Sequence, residues 1–302
     1  MVTVEKHLVG GKLYYRLAHS VREGGKVVHK TRYIGSVLPP EGELARLKDE
    51  FLREINAQKC RYFSFEDVEK IEKKRDEYRQ EAECLSLQER KERLDEFIIR
   101  FTYDSSKLSG VDVTLRQTSL ILKDGIVPKG IKRVETVALL ENHRKGIMAI
   151  TEYRGALNLP FVRKIHKILM LGVWDEIAGK TRDELARDVG VAGTPYVPPK
   201  WGDVPKEMDG FFKWYKSESR RLHPLELASL VHLKIISIQP FRDGNSRLSR
   251  LLMNWVLWKK GYPMVDIPVE DIENYYDALD KYQIERKERP FVDYIKQRYL
   301  LS

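Results

Sequence analysis

The sequence predicts a mainly α-helical protein that begins with a small β unit. The first 35 residues are rich in β-branched and aromatic residues around a glycine pair, which is typical of a hairpin. Residues 41–99 are heavily charged and helical in pattern, and from residue 100 onward the composition is that of a packed helical domain. We therefore divide the chain into residues 1–38, 41–99 and 100–302.

The N-terminal β unit is predicted from two strand-like stretches. "KLYYRLAHSV" and "KVVHKTRYIG" flank "REGGK", whose two glycines suit a tight turn. Pro39 and Pro40 follow and mark the end of this module. The sequence therefore predicts a hairpin that is separate from the helices behind it.

The first 35 residues also carry much of the positive charge. Seven Lys and Arg residues face two Glu residues there, a net +5 out of the chain's +9. A basic cluster of this kind can attract nucleic acid or an acidic partner. It equally fits a solvated surface on a basic protein, and the sequence leaves both readings open.

Residues 41–99 are predicted to be charged helices. Ser86 and Glu89 form a capping-box pattern, so a helix is expected to begin there. Cys60 and Cys84 lie in this region without CxxC spacing, which supports neither a disulfide framework nor a zinc site. No apolar run approaches the roughly 20 residues that span a bilayer, and no signal-peptide pattern is present. We expect a cytoplasmic protein with no membrane contact.

The remaining residues predict a bundle of helices, with loops dominating between residues 178 and 202. "HPLELASLVHLKIISI" is apolar on nearly every side, so its helix is expected at the centre of the domain. The next helix, residues 245–260, has one apolar face and ends at Gly261. By contrast, "DVGVAGTPYVPPKW" holds glycines, prolines and valines and is predicted to be a short extended hairpin. Further helices are predicted at residues 114–122, 134–154, 160–171 and 205–217.

The connection between the last two core helices is the candidate site. Residues Asp243 to Ser246 lie at a helix N-terminus, where free backbone N–H groups favour an anion, and Gly244 allows a ligand to approach the backbone closely. Arg247 and Arg250 project from one side of the helix and suit phosphate oxygens, and Asp243 could hold Mg²⁺. The alternative is an ordinary N-cap with surface arginines.

The loop resembles the signature of the Fic (Fido) family, HPFx(D/E)GNGRxxR, which reads QPFRDGNSRLSR here. The resemblance covers about residues 100–295 and implies a mainly helical domain with a small flap hairpin. Further matching stretches occur in the family's usual order: "LHPLELASLVH", "RLLMNWVLWKKGYP", "YYDALDKYQ" and "AGTPYVPPKWGDVPKEM".

The resemblance also implies residue roles. Family members transfer AMP from ATP to a protein hydroxyl, with the motif histidine as base and the acidic residue as metal ligand. On that pattern Asp243 holds Mg²⁺, Phe241 anchors the loop and the segment at about 188–198 is a flap that docks the target protein. The implied catalytic set is Gln239, Asp243, Arg247 and Arg250, and the implied nucleotide-binding set is Gly244, Asn245, Ser246, Arg247 and Arg250.

Two motif positions depart from the family. Gln239 replaces the histidine, and an amide cannot take up a proton near neutral pH, where a positioned base contributes about 10²–10⁴-fold in rate. His232 is ~10 Å away by helix rise and is predicted to be a core histidine instead. Ser246 replaces a glycine, so phosphate binding is expected to be altered, weakened or helped by one extra donor.

A third departure concerns inhibition. "SSKLSG" resembles the family's inhibitory segment, (S/T)xxxE(G/N), with Ser105 and Gly110 matching and Ser109 in the glutamate position. The carboxylate that would pair with Arg250 is missing, so we expect no self-inhibition by that ion pair.

These features leave three hypotheses open. The first is an adenylyltransferase-like enzyme that binds ATP or another nucleotide with Mg²⁺ and has reduced or altered AMP transfer. The second is an inactive pseudoenzyme that senses nucleotide or docks a protein. The third adds nucleic-acid binding at the basic N-terminal unit. Whether the chain is an enzyme is left undecided by the sequence, because Gln239 argues against it and the phosphate-binding residues argue for it.

Overall fold

The computed structural model describes residues 2–23, 26–57, 60–131 and 133–302. The chain divides into two compact units, Met1–Lys70 and Ile71–Ser302. The fold is mostly helical, as predicted, and the strands that the structure describes lie in the first unit. The domain limits proposed from the sequence remain predictions.

The first unit contains a three-stranded antiparallel sheet in the order β1 (Thr3–Val9), β2 (Lys12–Glu23), β3 (Lys26–Gly35). The β2–β3 pairing confirms the predicted hairpin, although its glycine pair lies outside the described residues. Sequence reasoning missed β1, because three polar residues in its middle interrupt the alternation that marks a strand. Helix α1 (Glu41–Ala57) covers the sheet, and both contribute buried residues to one small core: Leu17, Val21, Phe51 and Ile55.

Two cations of the basic N-terminal unit are paired with acids of the first compact unit. Arg16 lies 2.9 Å from Glu5, and Arg32 lies 3.0 Å from Glu54 on α1. These pairs reduce the positive field that a nucleic acid would meet. Nucleic-acid binding there stays a prediction.

The second unit is built from helices, and those predicted at residues 114–122, 134–154, 160–171, 205–217 and 245–260 lie within a few residues of observed ones. Ser86 caps α3 in a complete capping box with Glu89, as the sequence indicated. No helix in the described residues has the length and apolarity needed to cross a bilayer. The helices are α2 (Phe65–Cys84, shared with the first unit), α3 (Leu87–Lys107), α4 (Leu115–Asp124), α5 (Val134–Glu152), α6 (Leu159–Met170), α7 (Arg182–Leu185), α8 (Val204–Glu218), α9 (Pro224–Ile238), α10 (Asn245–Lys259), α11 (Ile272–Gln283) and α12 (Arg289–Leu301).

Helices α9 and α10 pack against each other at the centre of the unit. Thirteen residues of α9 are buried around its whole circumference, as expected for a helix that is apolar on every side. His232 on α9 is fully buried and lies 3.1 Å from the Tyr275 hydroxyl, which confirms the prediction of a core histidine. The six residues between the two helices are therefore held at both ends by the core.

A buried polar cluster fixes the start of α9. The Nε2 atom of His223 lies 3.0 Å from Oε1 of Glu72 on α2, and the same carboxylate also contacts Arg75 and Tyr262. Burial raises the pKa of Glu72, but the hydrogen bonds from His223 and Tyr262, together with the charge of Arg75, hold that pKa below its ordinary value. The helix that leads into the candidate site is thus anchored on the buried carboxylate of Glu72 through His223.

Candidate nucleotide site

The loop after α9 turns sharply at Gln239. This residue has left-handed backbone angles, φ 49° and ψ 59°, which are uncommon for a side chain with a Cβ atom. Arg182, fully buried, donates from Nε to the Gln239 carbonyl at 2.6 Å and from Nη2 to the Ile238 carbonyl at 3.2 Å. Its backbone N–H donates to the Pro240 carbonyl at 2.9 Å. One arginine therefore holds three consecutive carbonyls of the turn.

The side chain of Gln239 is nearly buried, with 9% of its surface exposed. Within the described part of the chain its amide makes no hydrogen bond. A protonatable group placed here would be positioned by the rigid turn beneath it, but an amide has no basic atom to offer. The turn thus places an amide at the position where the family resemblance implies a base.

Phe241 and Asn245 close the loop. Phe241 is fully buried, as predicted, and its ring stacks on the ring of His166 at 3.7 Å with an angle of 7°. The Asn245 side chain accepts from the Phe241 N–H at 3.0 Å and donates to the Phe241 carbonyl at 2.7 Å. The Asn245 amide is therefore engaged inside the loop, and its predicted nucleotide contact stays a prediction for its backbone N–H.

His166 on α6 locks the loop from the other side. Its Nδ1 accepts from the Gly179 N–H at 2.9 Å, so Nε2 carries the proton and donates to the Asp243 carbonyl at 2.9 Å. Burial, with a contribution from the nearby Arg247 charge, lowers the pKa of His166 to about 4. The imidazole is consequently neutral at pH 7 and acts as a fixed bridge.

The pKa of His166 predicts a dependence of stability on pH. Since the folded value of about 4 lies below the ordinary 6.5, the unfolded chain takes up a proton first as the pH falls from 6.5 to 4, and stability is lost across that window. His166→Phe keeps a stacked ring and removes the titration. We expect the native protein to lose about 3 kcal/mol more than His166→Phe between pH 7 and pH 4.

Urea unfolding of both proteins at several pH values between 4 and 7 measures this difference. At pH 7 the variant should be less stable than the native protein by about 2–3 kcal/mol. The Gly179 N–H and the Asp243 carbonyl would both lose their hydrogen-bond partner. His7→Phe is the control, since it makes the same substitution at an exposed position on β1 and leaves the loop bridge intact. Parallel curves for native protein and His166→Phe would contradict the assignment.

Gly244 and residues 245–247 at the start of α10 form a backbone segment with free N–H groups, which we call the cradle. Gly244 has φ 77°, and a Cβ atom there would meet Met170 Sδ at 3.0 Å and the His166 ring at 3.5 Å. The first helical bond joins the Leu248 N–H to the Gly244 carbonyl at 3.0 Å. Within the described residues, the backbone N–H groups of residues 245–247, Ser246 included, have no protein acceptor, which is the arrangement that binds phosphate at a helix N-terminus.

Asp243 lies at the mouth of this cradle. Its Oδ1 accepts from the Gly244 N–H at 2.6 Å, and its Oδ2 lies 3.8 Å from Arg247 Nη2. The side chain is 57% exposed. No group of three or more metal-ligating side chains occurs in the described residues, so a protein cage for a metal is not formed there. A single exposed carboxylate does suit Mg²⁺ that arrives with phosphates and keeps several waters.

Arg247 is a buried cation with few partners. Its Nε and Nη1 atoms have no hydrogen-bond partner in the described structure, and Nη2 reaches Met170 Sδ at 3.8 Å. Only 5% of the residue is exposed, and burial lowers its pKa from the ordinary value. A buried guanidinium in this state gains free energy when an anion supplies the missing acceptors.

Arg250, one turn further along α10, is bound entirely by neutral oxygens. Nε donates to the Ser105 hydroxyl at 2.9 Å, and Nη2 donates to the Ser105 carbonyl at 2.8 Å and the Ser109 hydroxyl at 2.9 Å. Nη1 is buried and has no partner among the described atoms. Ser109 therefore occupies the position beside Arg250 that the sequence assigned to it, and Gly110 with φ 79° ends the turn.

The predicted flap is an irregular segment with turns and bends at residues 192–195, and it is not a hairpin. Residues 187–200 form neither helix nor strand, and no strand ladder links its two arms, which contradicts the predicted pairing. Its prolines remove N–H donors that a ladder needs. The flap is held by side chains instead: Thr194 donates to Asp280 at 2.8 Å, Tyr196 donates to the Ser237 carbonyl at 2.8 Å, and Arg182 donates to the Pro199 carbonyl at 2.8 Å.

Two residues of the site were missed by sequence reasoning. Arg182 was overlooked because a charged residue between loops usually faces solvent. His166 was overlooked because it lies outside the motif, although it shares the apolar face of α6 with Val162, Ile165 and Leu169. A histidine inside an apolar stripe was the available signal.

Comparison with known proteins agrees with this geometry. Residues 156–257 match the model of the Fic/DOC family. The protein adenylyltransferase Fic of Drosophila yakuba is 36% identical over 196 residues, which is 64% of this chain and 38% of that protein. The Drosophila grimshawi adenylyltransferase Fic is 37% identical over 197 residues, 64% of this chain and 39% of that protein. The chain thus spans about two fifths of the length of the curated relatives it matches.

A solved structure gives the same result at the level of the fold. A Fic-domain-containing signalling protein from Bacteroides thetaiotaomicron superposes with a TM-score of 0.68 and 26% sequence identity, covering 78% of this chain and 94% of that one. The matched region includes the loop, the cradle and both arginines described above. Residues 156–257 of this chain are thus a Fic/DOC-type domain.

Proposed function

We propose that this chain binds a nucleoside triphosphate, ATP first, with its phosphates on the N-terminus of α10, and that it is adenylyltransferase-like with reduced or altered AMP transfer. The observation that carries the proposal is the pair Arg247 and Arg250. Both are buried and both keep N–H groups without a partner among the described residues, and the carboxylate of Asp243 is 3.8 Å from Arg247. The relatives that match are named protein adenylyltransferases.

The physical reason for a polyphosphate is charge. Two buried guanidiniums on one helix repel each other, and their hydration has been replaced by only a few neutral acceptors. Phosphate oxygens supply both the negative charge and the fork-shaped hydrogen bonds that guanidinium prefers. The helix N-terminus beside them adds free N–H groups and a favourable dipole.

Mg²⁺ fits the same arrangement. Asp243 would hold it, and the ion would neutralise charge on the bound phosphates when present. The protein's own residues do the rest: Gly244 permits close approach, the N–H groups of residues 245–247 bind oxygens, and Arg247 and Arg250 orient the chain of phosphates. Loss of a single metal ligand would therefore weaken nucleotide binding less than loss of both arginines.

Gln239 limits the rate of AMP transfer that the site can support. In AMP transfer a hydroxyl oxygen bonds to the α-phosphorus, the bond to the bridging oxygen breaks, pyrophosphate leaves and the hydroxyl proton must go to an acceptor. The Gln239 amide is not basic enough to be that acceptor. The proton has to pass to water or to a phosphate oxygen, so transfer is slow. If it is negligible, the same site serves as a nucleotide sensor, the second candidate function.

The target protein is proposed to dock along the flap. The flap backbone forms no strand ladder of its own, and Val197 within it is 80% exposed. An extended peptide could use the unpaired backbone groups of such a segment for hydrogen bonds. The side-chain anchors at Thr194, Tyr196 and Pro199 hold the flap in place for that purpose.

Equilibrium dialysis with labelled ATP and Mg²⁺ tests the nucleotide proposal. Arg247→Gln and Arg250→Gln should each weaken binding about 10–100-fold, since each removes charged hydrogen bonds worth about 1.5–3 kcal/mol. Arg242→Gln is the matched control, because Arg242 lies in the same loop but is exposed and stacks on Trp174 at 4.6 Å. Unchanged affinity in both arginine variants would show that nucleotide binds elsewhere or not at all.

A further inference from the structure

The second compact unit contains a large cavity that the nucleotide site does not use. Its volume is about 770 Å³, and it lies between the second half of α2, the first half of α3 and the turn after α10. That volume is in the range of small-molecule sites in proteins, roughly 300–1,000 Å³. None of the motif residues lines it.

The interior of the cavity is apolar. Tyr78, Phe97 and Trp258 contribute partly exposed rings, and Leu94 and Met264 contribute aliphatic surface. The polar atoms of the aromatic walls are largely used elsewhere. The Trp258 N–H donates to the Thr151 carbonyl at 3.1 Å, and the Tyr262 hydroxyl is bonded to Glu72. What the walls present to the cavity is therefore mostly hydrocarbon, which water solvates poorly.

The rim of the cavity is basic. Six of its lining residues are Lys or Arg and three are Asp or Glu. Most of the cations are already engaged: Arg93 pairs with Glu81 at 2.8 Å, and Arg100 pairs with Asp104 at 2.6 Å. The engaged cations are thus held by acids or carbonyls of this chain and have little left for a ligand.

Two rim cations are different. In the part of the chain that the structure describes, Arg79 and Lys91 have no acidic or hydrogen-bonding partner. Arg79 lies against Gly261, where its Nη2 is 3.2 Å from the position of an added Cβ atom. Gly261 has φ 77°, so the turn both requires a glycine and leaves room for the guanidinium.

We propose that this cavity binds a small amphipathic anion, with its apolar body among the aromatic walls and its carboxylate at Arg79 and Lys91. Charge complementarity selects the anion, because the rim is basic and its two unengaged groups are cations. The apolar walls select a hydrocarbon body over a polar one. The binding is independent of the nucleotide site and does not rest on the proposed function.

Isothermal titration with dodecanoate and with dodecanol, both below their aggregation concentrations, tests the proposal. The two probes share a chain length and differ in charge. We expect one dodecanoate per protein, with an affinity at least tenfold above that of dodecanol, since charged hydrogen bonds are worth about 1.5–3 kcal/mol. Binding of MgATP should be the same with and without dodecanoate.

Two variants separate the roles of charge and shape. Arg79→Gln, at an exposed position, should reduce dodecanoate affinity to near that of dodecanol, and Lys206→Gln on α8 is a control that should change nothing. Leu94→Trp should reduce binding of both probes by filling the cavity, with thermal melting as the check on folding. Equal affinity for the two probes, several weak sites, or dodecanoate binding unaffected by both variants overturns the proposal.

Discussion

Gln239→His should raise AMP transfer by about 10²–10⁴-fold, the contribution of a positioned base. The backbone turn that would carry the histidine is already built: residue 239 has left-handed angles, and Arg182 holds its carbonyl at 2.6 Å. The cradle, Asp243 and both arginines are unchanged by the substitution. The measurement is transfer of label from α-labelled ATP with Mg²⁺ onto the protein itself and onto lysate.

Gln239→Ala is the matched control, because it removes the amide without supplying a base. It should label at the native rate. Labelling by the native chain as fast as by Gln239→His would mean that water or a phosphate oxygen accepts the proton efficiently, and the pseudoenzyme reading would then fail. If Gln239→His stays silent, adding Ser246→Gly tests whether the cradle itself is obstructed.

The sequence predicted the helices of the Fic/Fido domain well, because their buried faces have a regular period and their caps are local signals. Ser86 with Glu89, and the all-round apolar α9, are examples. The prediction of a flap hairpin was wrong, because the flap is held by distant side chains such as Asp280 and Arg182. No local sequence pattern reveals such contacts. Strand β1 was missed because its pattern is broken by polar residues.

In the candidate site, too, some residues could be predicted from the sequence and others could not. The positions that a ligand would contact follow from one contiguous motif, so the sequence predicts them. The residues that hold the motif in shape are far away in the chain: His166 is 77 residues from Asp243, and Arg182 is 57 residues from Gln239. Their roles arise from tertiary packing, and a single sequence without relatives gives no pairing between such positions.

The contacts of Arg250 lead to a second prediction, which concerns inhibition of AMP transfer by a carboxylate at position 109. Ser109 lies two residues after α3 with its hydroxyl 2.9 Å from Arg250 Nη2, and the residue is exposed. A glutamate at 109 can place a carboxylate on the same guanidinium, including its unpartnered Nη1. That ion pair would neutralise one of the two charges that we propose bind the phosphates.

Ser109→Glu should therefore reverse the gain made by Gln239→His. In the double variant we expect transfer to fall by about 10²–10³-fold relative to Gln239→His alone, the usual effect of losing one preorganised electrostatic donor. Affinity for MgATP should fall as well, which dialysis measures even if transfer is too slow to detect. Ser109→Gln has the same length and no charge, so it should leave most of the activity.

The comparison of glutamate with glutamine decides between charge and bulk. If Ser109→Gln silences the protein as fully as Ser109→Glu, then the side chain acts by filling space beside the phosphates. If neither change has an effect, Arg250 does not bind nucleotide and serves only to join α10 to Ser105 on α3. A selective effect of the carboxylate means that the neutral serine at 109 keeps Arg250 available to a phosphate ligand.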